Sequence, residues 1–416
     1  MRDHKNTNIY IIGAGISGLI AAINLEKFGY SPIILEASNK VGGRVKTDIL
    51  EGYQLDRGFQ VLLDEYPMAK KYLDYDALDF QRLDPGAMIY KNGKGTAFGD
   101  PLRDSSYLFP TAFSNNATLA DKWRVYSLRN RILKTGLQEI FEKEDKPTLE
   151  YLKGLGFSSK IITSFFRPFF SGIFLETELA TSSRMFEFVY RMFSDGNAAI
   201  PKSGIHAIPE QIVSNLKTTK LWLNSTVENV QNGDIKLANG QMLQSDFTIV
   251  ATDPANVVEN YASTLTWKSC DTLYFTTDHR SIHKPMIGLN GNDHGYINNI
   301  FYPTSISTTS KGLKELLSVT VVKEHQLAED ELIGKVQEEL KANFAINDAR
   351  ILKVLKISNA LPEVTNVMYG QEASESLLTE KIAVSGDHLL NGSLNAAMQS
   401  GEASAAMAHH ICQTSI

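Results

Sequence analysis

The spacing of apolar positions changes along the chain, and each change predicts a different kind of element. Near the start, Ile9 to Ile12 form a continuous apolar run, Gly13, Gly15 and Gly18 follow, Leu19 to Phe28 repeat at helical spacing, and Ile33 to Leu35 form a second run. This order predicts a β-α-β unit. Gly29 falls where a helix should end and Pro32 where the second strand should open, and both agree with the assignment. From Asp100 to Asn197 the period becomes helical, most clearly at Lys122 to Phe141, Thr148 to Leu155 and Met185 to Phe193. An inserted helical region is expected there. Strand patterns return at Leu221 to Leu223, Thr226 to Val230, Ile235 to Leu237 and Phe247 to Ala251. The pairs Asn232-Gly233 and Asn239-Gly240 mark turns, so a small antiparallel hairpin feeding a buried strand is predicted. Further strands at Thr272 to Thr276, Leu317 to Val322 and Ile351 to Ile357, with a helix at Glu329 to Phe344, predict a mixed segment. A last strand at Ile382 to Val384 and an alanine-rich helix at Ser393 to Ile411 return to the type of the opening unit.

A length of 416 residues predicts two or three domains, and 43% hydrophobic with 21% charged residues excludes disordered, collagenous and coiled-coil classes. The formal net charge of -6, with basic residues scattered, gives no footprint for nucleic acid. Cys270 and Cys412 are far apart and outside any Cys-x-x-Cys pattern, so neither a disulfide framework nor a thiolate zinc site is expected and a cytoplasmic protein is read. Arg2 and Lys5 before the uncharged run Asn6 to Leu25 imitate a secretory leader, but the glycines inside that run suit a phosphate-binding turn instead. A soluble protein is the expectation, with peripheral membrane contact left open.

Gly13-Ala14-Gly15-Ile16-Ser17-Gly18 fits G-x-G-x-x-G between a predicted strand and a predicted helix. The first glycine permits the tight turn, the second lets backbone approach a pyrophosphate, and the third lets helix and strand pack closely. Ile16 and Ser17 begin the helix whose positive end faces the anion. Glu36, at the end of the second strand with Ala37 behind it, is placed to accept hydrogen bonds from an adenosine ribose. NAD and FAD share this fingerprint. The chain then continues Glu36-Ala37-Ser38-Asn39-Lys40-Val41-Gly42-Gly43-Arg44, where a second glycine pair and an arginine would reach the same pyrophosphate.

This string resembles the G-G-R signature of the FAD-containing amine oxidase superfamily, which includes flavin monoamine oxidases, protoporphyrinogen oxidases and phytoene desaturases. Asp56-Arg57-Gly58-Phe59-Gln60 resembles the family segment beside the isoalloxazine ring, and Ser385-Gly386-Asp387 through Ser400-Gly401 resembles its last flavin motif. The resemblance implies that Asp387 meets a ribityl hydroxyl or the pyrophosphate, and that backbone near Ala397 and Met398 points at the flavin pyrimidine. It also implies an adenine contact at Val227 and a strand beneath the cofactor ending at Ala251-Thr252-Asp253-Pro254. The implied fold is α/β, an FAD-binding Rossmann-like domain with a mixed-sheet plus helical substrate domain. Residues 1–85, 205–255 and 375–416 would form the first, and 86–204 with 256–374 the second.

Many amine oxidases carry a lysine near flavin N5. Aligning the likely counterpart strand, Trp267 to Phe275, puts Cys270 at that position with Lys268 on the same face two residues earlier, and Lys268 is read as solvated. Lys268, Cys270 and Gln60 are therefore the catalytic candidates. Covalent flavin attachment is not expected, because Cys412 lies beyond the start of the flavin helix. The run Phe165-Phe166-Arg167-Pro168-Phe169-Phe170-Ser171-Gly172-Ile173-Phe174 is expected to be helical core, with one or two rings and a positioned arginine lining an apolar substrate site. Met185, Phe186, Phe188, Tyr190 and Phe193 are read the same way. His279 and His283 have helical spacing but no partner that completes a metal pattern, so no metal is expected. The reading is a noncovalent FAD oxidase or desaturase that takes a hydride from a small, largely apolar molecule and passes electrons to dioxygen or a quinone. Its rivals are an amine oxidase, a flavin-dependent isomerase without net oxidation and, least favoured, an NAD dehydrogenase.

Overall fold

The structure, a computed structural model, describes residues 7–99, 116–259, 261, 265–292 and 295–414. Arg2, Lys5 and Asn6, at the head of the leader-like run, and Asp100, at the head of the helical region, lie outside these residues. The opening β-α-β unit forms where the pattern places it, with strands Ile9–Ile12 and Ile33–Leu35 parallel and helix Ile16–Lys27 between them. Gly29 ends that helix at φ +90°. Its N–H bonds the Glu26 carbonyl while the Tyr30 N–H reaches back to Leu25, which satisfies carbonyls that the helix end would otherwise leave bare.

Distant segments complete this sheet. Its order is Lys220–Trp222, Ile33–Leu35, Ile9–Ile12, Phe247–Val250, Ile382–Val384 and Leu377–Thr379, parallel except for the last pair. The last helix, Leu394–Thr414, then packs on the first, where a Cβ on Gly401 would run into the Ser17 carbonyl oxygen. Between these strands, Val227–Gln231, Asp234–Leu237 and Met242–Gln244 form the expected small antiparallel sheet. Asn232 and Gly233 turn its first hairpin at φ 48° and 96°, the left-handed geometry that favours this dipeptide.

A second sheet has the order Arg350–Pro362, Trp267–Thr277, Glu315–Val321, Ile297–Phe301, Ile287–Asn290, Gly86–Lys91 and Lys94–Gly99. Strand alternation splits its faces. Leu273, Phe275, Leu317 and Val319 bury against Leu332, Val336, Leu340 and Phe344 of the helix Glu329–Phe344. Cys270, Thr272, Thr320 and Asn299 occupy the other face; Thr272 and Asn299 both register with Thr320.

Some expectations are corrected. The segment Lys122 to Phe141 is two helices, Leu119–Lys134 and Leu137–Glu142, because Thr135 is extended and Gly136 starts a new helix with its N–H on Glu139. Ile351 to Ile357 belongs to the longer strand Arg350–Pro362, whose polar ends at Arg350, Ser358 and Asn359 break the apolar pattern. His279 and His283 lie in a loop after Thr277, not on a helix.

Candidate functional site

One cavity of about 2110 Å³ joins the glycine turn, Glu36, the sheet face with Cys270 and the aromatic helix. That is about twice the upper end of the ~300–1,000 Å³ usual for small-molecule sites, so an extended cofactor and a second ligand both fit. At its first end Gly13 holds φ +101°, where a Cβ would stand 2.8 Å from the Ala251 carbonyl oxygen. Gly15, by contrast, faces open space: nothing lies within 4 Å of where its Cβ would be. The helix beginning at Ile16 has no side-chain cap and no acid in its first turn, so its unpaired N–H groups and positive end face the cavity. Gly18 is set back from the wall, against Gly13, Ala251 and Ile11, where a side chain would force the helix off the sheet.

Glu36 is buried and its carboxylate is held in place. Oε2 accepts from the Ala14 N–H at 2.8 Å, and Oε1 accepts from the Ser38 N–H at 2.9 Å and the Ser38 hydroxyl at 2.7 Å. Ala37 and Val227 join it on the wall. The second glycine pair closes over the first turn, since the Gly42 N–H bonds the Ala14 carbonyl and a Cβ on Gly43 would stand 3.3 Å from the Gly15 Cα. Arg44 makes contacts that the sequence reading missed. It pairs with Asp387 at 2.5 Å, reaches the Ala360 carbonyl at 3.3 Å and lies 5.1 Å from the Trp267 ring centre.

Gln60 donates to the carbonyls of Arg44 (3.1 Å) and Arg57 (2.8 Å), which fixes its amide on the wall beside Gly58 and Phe59. Gly386, Asp387 and Ala397 line the cavity as well. Met398 does not: it is fully buried, and the N–H groups of Ala396 and Ala397 are both taken by Ser393. This last motif therefore presents a helix end and small side chains instead of an open Met398 amide. Ser385 Oγ is buried without a hydrogen-bond partner among the described residues. The open Gly15 cradle, the uncapped helix end, the anchored carboxylate and the arginine together fit a flavin dinucleotide.

The far end is apolar. Phe165, Phe169, Phe170 and Phe174 line it, more rings than the one or two expected, while Phe166 is wholly buried. The helix widens to a π-type turn over Ile162–Phe166, just before Pro168, which has no N–H to return to Ser164. Met185, Tyr190 and Phe193 join the wall, whereas Phe186 and Phe188 are core. Arg167 is not the positioned arginine, because it turns to the Thr177 carbonyl and Glu178.

Lys268 is a further correction. It is half-buried on the cavity wall, its ammonium donates to Thr181 Oγ1 at 3.2 Å, and burial lowers its pKa against the opposing pull of Glu176 and Glu363. Cys270 shares the wall, and burial pushes its thiol up to about 12, well away from a thiolate at neutral pH. The strand Arg350–Pro362 opposite supplies wall residues that sequence reasoning missed. Its register shifts where Lys268 faces Leu361 and Cys270 faces Ile357, and the bulge between turns the Ala360 carbonyl to Arg44.

The description "Flavin containing amine oxidoreductase" belongs to the family profile that matches residues 16–408. An L-amino acid oxidase of Cerastes cerastes is 28% identical over 158 residues, which is 31% of this chain and 31% of that protein. The match thus spans about a third of that curated relative. Two solved structures share the fold: a redesigned triple mutant of putrescine oxidase, with TM-score 0.71 and 14% identity over 96% of this chain and 98% of that one, and a CLA-producing fatty acid isomerase from P. acnes, with TM-score 0.71 and 14% identity over 95% and 97%.

Proposed function

The chain belongs to the flavin containing amine oxidoreductase family, and on that premise we propose that it is an FAD-dependent oxidoreductase acting on a small, largely apolar substrate. One observation carries this reading: one cavity is lined both by Gly15 and Glu36 at the dinucleotide end and by Phe165 and Phe169 at the aromatic end. FAD bound there would supply hydride-accepting chemistry at N5. The residues do the rest. The first helix end and Arg44 would hold the pyrophosphate, and Glu36 the ribose. The positive end of the helix at Leu394 would favour negative charge near Ala397. Aromatic walls would exclude water from the reacting carbon. Cofactor attachment is read as noncovalent, because the Cys270 thiol stays protonated and Cys412 is buried away from the wall. The cofactor unit is taken as 1–85, 205–255 and 375–416, and two free, buried cysteines suit the cytoplasm. No described helix is long and apolar enough to cross a membrane.

An amine-oxidising reading draws support from Lys268, which lines the cavity. Anaerobic stopped-flow reduction decides between the two, with small amines tested beside polyenes, porphyrinogens and steroids. Reduction by the apolar panel is expected. Rapid reduction by small amines alone, lost in Lys268→Met, would overturn the proposal in favour of the amine reading. Turnover that leaves substrate mass unchanged would support the isomerase reading instead, and reoxidation by dioxygen or a quinone identifies the acceptor.

A further inference from the structure

The aromatic helix Arg167–Phe174 packs on the strand Ile297–Phe301, and there the cavity wall turns polar. Asn299 and Thr320 line the cavity together with Gly172 of that helix. Both polar residues are otherwise buried, so the partners of their side chains are few and fixed. Gly172 makes room for the amides: a Cβ there would stand 2.9 Å from Asn298 Nδ2 and 3.0 Å from Asn299 Oδ1.

One carbonyl sets the direction of every hydrogen bond in this group. The Pro168 carbonyl can only accept, so the Asn298 atom 3.0 Å from it is the amide nitrogen. That nitrogen gives its other hydrogen to Asn299 at 2.9 Å, so the Asn299 atom facing it is the oxygen. The remaining end of the Asn299 amide is then the nitrogen, which donates to Thr320 Oγ1 at 3.3 Å. Thr320 Oγ1 therefore accepts, and its own hydroxyl hydrogen meets no acceptor among the described residues. Thr272, its register partner on the neighbouring strand, does not take that hydrogen. Its hydroxyl is fully buried and has no partner among the described residues either.

We propose that the Thr320 hydroxyl recognises a hydrogen-bond-accepting oxygen on an otherwise apolar substrate, a carbonyl oxygen being the simplest, and so fixes how the substrate lies in the cavity. Few polar groups in an apolar site set orientation, and a donor left unpaired by the wrong ligand gives selectivity. This names the substrate class more narrowly and rests on the apolar-substrate reading: rings such as Phe165 and Phe169 supply contact area, and Thr320 supplies the polar point. Other donors on the same sheet face fit less well. The Cys270 thiol is a weak donor, and the Lys268 ammonium turns to Thr181.

The test titrates the flavin-loaded protein with matched pairs, acetophenone against ethylbenzene and acetonaphthone against ethylnaphthalene, and follows the flavin absorbance. A ketone gives up more hydration than its hydrocarbon, so the quantity read is the ratio of the two affinities, compared between proteins. Thr320→Val keeps the shape and removes the hydroxyl, and should lower the ketone-to-hydrocarbon ratio at least about fivefold. Thr320→Ser should restore it, and Lys268→Met should leave it unchanged. The infrared carbonyl stretch of isotope-labelled acetonaphthone should fall on binding to the wild-type protein relative to hexane solution. That measurement needs no variant and decides the matter if Thr320→Val fails to fold. An unshifted stretch, a ratio that survives Thr320→Val, or a ratio that collapses in Lys268→Met would each overturn the proposal and leave the apolar-substrate reading in place. Binding of neither member of any pair, with flavin reduction by small amines, would remove that reading and this inference with it.

Discussion

Replacing Glu36 by Ala tests the dinucleotide end most directly. The carboxylate has two tasks that separate experimentally. Within the protein it accepts the buried Ala14 N–H and both donors of Ser38. Deleting it leaves the Ala14 N–H unsatisfied inside the glycine turn, a cost of about 1–3 kcal/mol that appears without cofactor. Toward FAD it would accept from the ribose, and each charge-assisted bond lost is worth about 1.5–3 kcal/mol. Since about 1.4 kcal/mol is a factor of ten in affinity, Glu36→Ala should weaken FAD binding by at least about tenfold, and by more than a hundredfold if two bonds are lost. Glu36→Gln keeps an oxygen for Ala14 but offers an amide hydrogen to Ser38, so it should fall between. Titration of apoprotein with FAD, followed by flavin fluorescence, gives the dissociation constants, and urea denaturation of the apoproteins gives the structural part. FAD affinity equal to wild type in both variants would show that the adenosine end does not lie at Glu36, and the assignment of this strand end would fall.

Two further substitutions probe the fold around the site. Gly401→Ala should destabilise the protein by about 1–3 kcal/mol, because the added methyl meets the Ser17 carbonyl oxygen and Ile20 and pushes the last helix off the first; an unchanged urea midpoint and full FAD retention on gel filtration would contradict that packing. Asp56 accepts from the Thr47 hydroxyl and the Ile205 N–H, yet burial pushes its carboxyl up to about 6 from an ordinary 3.8. Between those values the unfolded chain has already released this proton while the folded one keeps it, so stability from this group falls as pH rises through the window, by at most about 3 kcal/mol. Asp56→Asn retains an acceptor oxygen and removes the titration, and should raise the denaturation midpoint relative to wild type above the window but not below it; an equal difference on both sides would refute the assignment.

The opening β-α-β unit, the glycine turn, Glu36 and the Asn232-Gly233 hairpin were legible in the sequence because each is specified by neighbours a few residues apart. Gly13 needs a left-handed φ, Gly29 closes a helix end, and Asn-Gly suits a tight hairpin whatever the rest of the chain does. The noncontiguous sheet was foreshadowed by type alone, since strands at the two ends of the chain shared a pattern but nothing local stated their order. Arg44 shows where local reasoning ran out. The glycines beside it supported only the expectation of a phosphate contact, while its pairing with Asp387, its contact with Ala360 and its stacking on Trp267 join residues hundreds of positions apart. Lys268 and the aromatic helix show the same limit in another form. Periodicity assigns a face, but which face meets a cavity and which meets core depends on the element packed opposite: Cys270 and Lys268 line the cavity because Leu273 and Phe275, on the reverse face, are claimed by the helix Glu329–Phe344. The bulge that brings the Ala360 carbonyl to Arg44 arises from a register shift between two long strands. Only the tertiary structure could decide it, because register is set by pairing across space and not by the residues of either strand alone.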